Sequence, residues 1–168
     1  MTLPDVLAFL ELTDELEIVA WLNGGWGVDA LLGEQTRRHE DLDLFLPAHD
    51  APLLVQHLTL RGFAPVPRDD TTPWNFVYGD AHGREVDFHL FERDPDGSVR
   101  YGTGEVFPAD LLDGYGTVGG RAVRCISAAW EVRWHTGYPL DEDDWHDVQL
   151  LCARFDLPVP SEYERFRR

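Results

Sequence analysis

The sequence predicts an α+β domain: a mixed β-sheet with helices packed on it and a small C-terminal helical part. Two strand-like segments with apolar and acidic residues in strict alternation, and a glycine turn joining a strand to a helix, predict the sheet half. Apolar residues at helical spacing behind recognisable caps, near both ends of the chain, predict the helices.

Taken in order, Thr2-Leu3-Pro4-Asp5 resembles a helix start, and Val6, Phe9, Leu10, Leu12 and Leu16 recur at helical spacing behind it. Glu17 to Leu22 reads as a short strand that runs into the turn Asn23-Gly24-Gly25-Trp26-Gly27. Val28, Ala30, Leu31 and Leu32 then suggest a short helix stopped by Gly33. A basic loop, Glu34 to His39, leads into a strand from Asp41 to Leu46, and a helix is expected from Asp50 to Arg61, closed by Gly62. Phe63 to Val66, Trp74 to Tyr78 and Glu85 to Phe91 look like further strands. Residues 93 to 120 are rich in Gly, Pro and Asp and read as loops with short extended pieces. Arg121 to Ile126 is another strand, Ser127 caps a helix through about His135, and Asp141 to Asp144 place negative charge at the start of a last helix. Its stripe is Trp145, Val148, Leu151, Cys152 and Phe155, and Leu157-Pro158 ends it. The organisation divides into a core over 1–92 and a C-terminal part over 93–168.

Composition narrows the partners. Thirty-one acids against fourteen basic residues give a formal charge of −17, which repels a polyanion over most of the surface and argues against nucleic acid. A small cationic substrate, or an anionic one escorted by metal ions, is compatible with that charge. The N-terminus has no basic region, acids interrupt its apolar residues, and no stretch approaches a membrane span. A cytoplasmic protein with no membrane partner is therefore expected. Cys125 and Cys152 lie far apart without CxxC spacing and read as two buried thiols.

The chemistry concentrates on two strands. In EDLDLFLP, residues 40–47, Asp41, Asp43 and Phe45 share one face while Leu42, Leu44 and Leu46 share the other. The second strand repeats this, with Glu85, Asp87 and His89 alternating with Val86, Phe88 and Leu90. If the strands are neighbours, about 5 Å apart, Asp41, Asp43 and Asp87 converge. Three carboxylates so close make sense chiefly around divalent cations, and oxygen ligands favour magnesium or manganese over zinc. Gly24 and Gly25 let backbone N–H groups approach a ligand, and the positive end of the following helix suits phosphates. Arg37 and Arg38 stand just ahead of the carboxylate strand, within reach of outer phosphate oxygens. Singly, each feature has a plain alternative: an ordinary turn, a solvated strand face, a structural histidine, arginines that balance local acids. Their order along the chain is what points to a site.

GGWGVDALLGEQTRRHEDLDL resembles the glycine-turn and DxD signature of the DNA polymerase beta-like nucleotidyltransferase superfamily, in the form found in small antibiotic nucleotidyltransferases. Val86-Asp87-Phe88-His89, GRAVRCIS and HTGYPLDEDDWHDVQLL are most similar to the lincosamide nucleotidyltransferases, with the aminoglycoside 2''-nucleotidyltransferases next. The resemblance implies a nucleotidyltransferase fold, with residues 1–92 as catalytic core and 93–168 contributing to the acceptor site and to dimerisation. It implies two magnesium ions held by Asp41, Asp43 and Asp87, with Asp87, or else His89 or Glu85, taking a proton from the acceptor hydroxyl. Gly24, Gly25 and Arg37 would position a nucleoside triphosphate, ATP by that resemblance, with His39 either joining them or organising the loop, and pyrophosphate would leave. The acceptor would be a small antibiotic, a lincosamide or an aminoglycoside, with Glu85, His89, Trp74, Tyr101, Tyr115, Trp134 and Tyr138 as candidates to line its pocket. A homodimer is expected, and a non-catalytic, antitoxin-like relative of the same fold is the alternative of a different class.

Overall fold

The computed structural model describes residues 1–167. Among them a mixed sheet forms the frame, built from β1 (Trp21–Asn23), β2 (Asp41–Pro47), β3 (Ala64–Val66), β4 (Asn75–Gly79), β5 (Glu85–Arg93), β6 (Val99–Tyr101), β7 (Glu105–Phe107), β8 (Gly114–Val118) and β9 (Arg121–Cys125). The helices are α1 (Leu3–Glu15), α2 (Gly24–Leu32), α3 (Ala51–Leu60), α4 (Ala128–Trp134) and α5 (Glu142–Phe155).

The main path runs β3-β4-β5-β2-β1-β9-β8, with β6 on the far end of β5 and β7 on β6. β2 lies parallel to β5 and antiparallel to β1. β9 pairs parallel with β1, so the segment beyond residue 92 extends the same sheet. Alternation decides which way each strand faces. Leu42, Leu44, Leu46, Val86, Phe88 and Leu90 turn to one side, where they bury against Val6, Phe9 and Leu10 of α1 and Leu54 and Leu58 of α3. Each such side chain contributes on the order of 2 kcal/mol by leaving water. On the opposite side the same strands carry the acids at one end and Trp21, Phe45 and Phe91 at the other, packed on Leu111, Leu112 and Ile126. A third cluster joins α2, α4 and α5 through Val28, Val132, Val148, Leu151 and Tyr163.

Two boundaries differ from the sequence expectation. The extended segment begins at Trp21 rather than Glu17, because Glu17 adopts a left-handed φ of 56° and only Trp21–Asn23 find partners in β2. The glycine turn runs straight into the helix: Asn23 precedes α2, which starts at Gly24 although Gly24 itself has a left-handed φ of 58°, and Gly25 lies in the first turn, where low helix propensity costs least. Ser127 stands at the N-cap of α4 but its side chain makes no cap bond, whereas other caps act as read. Thr2 and Asp5 form a capping box for α1, Asp141 and Asp144 one for α5, and Gly33 and Gly62 follow the ends of α2 and α3. Cys125 and Cys152 are buried and unpaired with each other.

Candidate active site

The parallel register of β2 on β5 places Asp43 directly across from Asp87, Asp41 across from Glu85, and Phe45 across from His89. Because all six sit at the same parity, their side chains emerge on one face. Asp43, Asp87 and His89 offer ligand atoms within 4.8 Å of one another. His89 Nε2 stands 3.3 Å from Asp43 Oδ1 and 3.8 Å from Asp87 Oδ2. Asp41 lies one register position away on the same face and is not part of that tight group.

The electrostatics of this face are those of acids short of counter-charge. Burial, and then the charge of Asp43, raises the Asp41 carboxyl to about 6. Burial raises Asp87 to about 6 as well; His89 opposes the shift while Asp43, Asp41 and Asp70 add to it. Burial disfavours a charged His89, but its contact with Asp43 and the charges of Asp43, Asp87 and Asp41 outweigh this and raise its affinity for a proton. No arginine forms an ion pair with Asp41, Asp43 or Asp87 among the described residues. Glu85, by contrast, is taken by Arg68 at 2.5 Å.

Asn75 was not legible as a site residue, yet it matters. It sits across from His89 in the antiparallel β4–β5 pair, and its Nδ2 donates to Asp87 Oδ1 at 2.8 Å. That bond fixes one carboxylate oxygen and leaves Oδ2 turned toward His89. A polar residue inside the run Trp74 to Tyr78 was the available signal.

The glycine turn adjoins this face. Gly24 has a φ of 58°, and a Cβ there would overlap the Asp43 carboxylate. A Cβ on Gly25 would overlap the His39 ring and crowd Arg37 Nη2 at 2.9 Å, so Arg37 and His39 do flank the turn. Both are themselves held. His39 Nε2 bonds Asp29 Oδ2, Thr36 donates to Asp29 Oδ1 through N–H and O–H, and Arg37 forks onto Asp147 through Nε at 3.0 Å and Nη2 at 2.7 Å. Asp29 and Asp147, both buried, were not singled out from the sequence; an acid inside an apolar helical stripe was the signal for each. His39 Nδ1 is buried without a partner on the side facing Gly25.

Beyond His89 opens a cavity of about 290 Å³ lined by Asn23, Phe45, His89, Tyr101, Glu105, Phe107 and Trp134. The Tyr101 hydroxyl lies 3.2 Å from His89 Nδ1, and burial raises its phenol to about 12. Trp74 packs against Gly102, next to Tyr101, outside the lining. Tyr138 is exposed and donates to Asp144, and Tyr115 is exposed on β8, three strands from β2; neither joins the cavity. A larger apolar groove of about 620 Å³ is lined by core-face residues such as Phe76 and Leu90 and carries no acid, arginine or histidine.

A DxD strand beside a strand that carries the third acid, a helix whose glycine-rich first turn meets them, and an adjoining cavity define a nucleotidyltransferase. The chain belongs to the aminoglycoside-2''-adenylyltransferase family, whose model matches residues 5–151. It is 28% identical over 155 residues to a lincosamide resistance protein of Staphylococcus haemolyticus, covering 90% of this chain and 94% of that one. It is 30% identical over 152 residues to a 2''-aminoglycoside nucleotidyltransferase of Escherichia coli, covering 86% of this chain and 80% of that one. The crystal structure of the lincosamide antibiotic adenylyltransferase LnuA, lincomycin-bound, superposes with a TM-score of 0.80 at 28% identity, over 90% of this chain and 96% of that chain. No helix among the described residues is long and apolar enough to cross a membrane.

Proposed function

We propose that the protein transfers a nucleoside monophosphate from a nucleoside triphosphate, ATP first, to a hydroxyl of a lincosamide-type antibiotic, with magnesium as the metal. The observation that carries this reading is the placement of Asp43, Asp87 and His89 between the first turn of α2 and the cavity that ends at Trp134. Donor chemistry supports the metal: half-buried carboxylates, two of them raised by burial and mutual charge, and no arginine counter-ion. Such a set suits a hard divalent cation. Asp41, Asp43 and Asp87 would hold two such ions, which when bound supply charge stabilisation at the attacking and leaving oxygens.

The chain's own groups do the rest. The N–H groups of α2's first turn and Arg37, oriented by Asp147, receive the triphosphate. His39, braced by Asp29, closes the cradle from beside Gly25. Asp87 takes the proton of the acceptor hydroxyl on Oδ2, since Asn75 occupies Oδ1. The acceptor oxygen then bonds to the α-phosphorus, the α–β phosphoanhydride bond breaks, and pyrophosphate leaves. His89 and Tyr101 orient the acceptor at the mouth of the cavity.

The lining favours a lincosamide over an aminoglycoside. Four aromatic side chains and a single acid, Glu105, match an acceptor with an apolar end and one amine. A polycation calls for several acids, and three of the four in the Asp141–Asp144 run are used elsewhere: Asp141 caps α5, Asp143 meets Arg37 and Asp144 accepts from Tyr138. The near end-to-end coverage of the Staphylococcus relative supports the same choice. Incubation with ATP, magnesium and lincomycin, clindamycin or an aminoglycoside panel, read by product mass and pyrophosphate release, tests it. A nucleotidyl adduct on lincosamides alone is expected; adducts on aminoglycosides alone would reverse the acceptor assignment. A homodimer belongs to the same proposal and is checked by light scattering.

A further inference from the structure

Glu131, on α4, has no role in the reaction above and is costly where it stands. It has no exposed surface, neither carboxylate oxygen completes a hydrogen bond among the described residues, and its nearest cationic candidate, His135 Nδ1, is 3.9 Å away. Burying such a group without partners is destabilising. A leucine would fill the space without that cost.

The surroundings point to the base of α2. A Cβ on Gly27 would stand 2.6 Å from Glu131 Oε1 and 3.0 Å from the Leu22 carbonyl oxygen, so the helix closes on the carboxyl only because residue 27 lacks a side chain. The Gly24 N–H faces the same carboxyl, just short of a completed bond. Gly24 in turn touches Asp43. One buried acid thus underlies the residue that links the phosphate cradle to the metal face.

We propose that Glu131 is a positioning residue: from beneath α2 it accepts from the Gly24 N–H and holds the first turn of the helix at the spacing from Asp43 that nucleotide binding requires. Enclosure between Gly27 and the His135 ring limits the rotamers of Glu131, so little further entropy is lost in keeping that contact. Burial, and then the charges of Asp43 and Asp147, push the carboxyl toward its neutral form. A neutral amide oxygen therefore serves as well as the acid.

The inference rests on the nucleotidyltransferase reading for its consequence but not for its test. Hydrogen exchange of the peptide spanning residues 21–32, measured on the full chain without nucleotide, reads the turn directly. Glu131→Gln retains the acceptor and is expected to leave exchange at Gly24–Trp26 unchanged. Glu131→Leu fills the space without an acceptor; those amides then exchange about threefold faster, the loss expected for a long N–H···O contact rather than a completed bond, while the melting temperature holds or rises. In turnover, Leu raises the KM for the nucleotide about tenfold with the acceptor KM within about twofold, and Gln restores it. Equal exchange in the Leu and Gln variants shows that Glu131 only fills volume and overturns the proposal. If no variant and no wild-type protein transfers nucleotide, the functional reading falls while the exchange result still decides the role of Glu131.

Discussion

Two sets of aspartates sit within one small region and are treated oppositely. Asp29 and Asp147, at the back of the glycine turn, are buried and paired inside the chain, one with His39 and Thr36, the other with Arg37. Asp41, Asp43 and Asp87, on the sheet face in front of it, are half-exposed and receive no arginine. The fourteen basic residues of the chain are all arginine, and several close ion pairs elsewhere, as at Asp80, Asp94 and Asp14. The sheet face is left short of counter-charge amid available cations. A buried acid that already has its partner is part of the scaffold; an acid cluster without an arginine is where the proposed metal ions would sit.

Exchange of the two sets should separate activity from stability. Asp43→Asn is expected to lower kcat/KM about a thousandfold, because it removes a ligand at the centre of the face, and to leave the melting temperature unchanged or higher. Steady-state kinetics with calorimetry checks both halves. Asp147→Ala acts first on stability: it strands Arg37, costing roughly 3 kcal/mol in a denaturant titration, and through the loosened Arg37 it raises the KM for the nucleotide as well. An Asp147 variant as stable as the parent would erase the distinction between the two sets.

Smaller effects sharpen it. Asn75→Ala frees Asp87 Oδ1 and should cost about tenfold in kcat, the value of one hydrogen bond to a charged group. The pH response has a definite sign. Asp41 and Asp87 bind protons more tightly when folded, at about 6 against an ordinary value of 3.8. Metal-free stability should therefore fall as pH rises from about 4 to about 6, and magnesium should restore it above that range. Thermal melts across this window, with Asp87→Asn flattening the slope, provide the check. Tyr138→Phe, outside the cavity, should change kcat/KM by less than about twofold.

Much of this was readable from local pattern. Alternation in residues 40–47 and 85–90 set both strands and their acidic face; a parity match buries both apolar sides, and the parallel register then puts Asp43 beside Asp87. The caps at Thr2 and Asp141 are equally local. What the sequence did not show depends on long-range packing. Asn75 becomes a site residue only through the β4–β5 register, and Glu131 and Asp147 reach the glycine turn only because α4 and α5 fold back on α2. Aromatic residues were ambiguous for the same reason: Tyr101 and Trp134 meet at the cavity while Tyr115 and Tyr138 do not. Composition carries no information on which of them share a wall.

The most direct test is anomalous diffraction from crystals grown with manganese and a non-hydrolysable nucleoside triphosphate. Manganese peaks bounded by Asp41, Asp43 and Asp87, with the triphosphate against the first turn of α2, are predicted. Manganese elsewhere, or a nucleotide seated away from Gly24 and Gly25, would contradict the account.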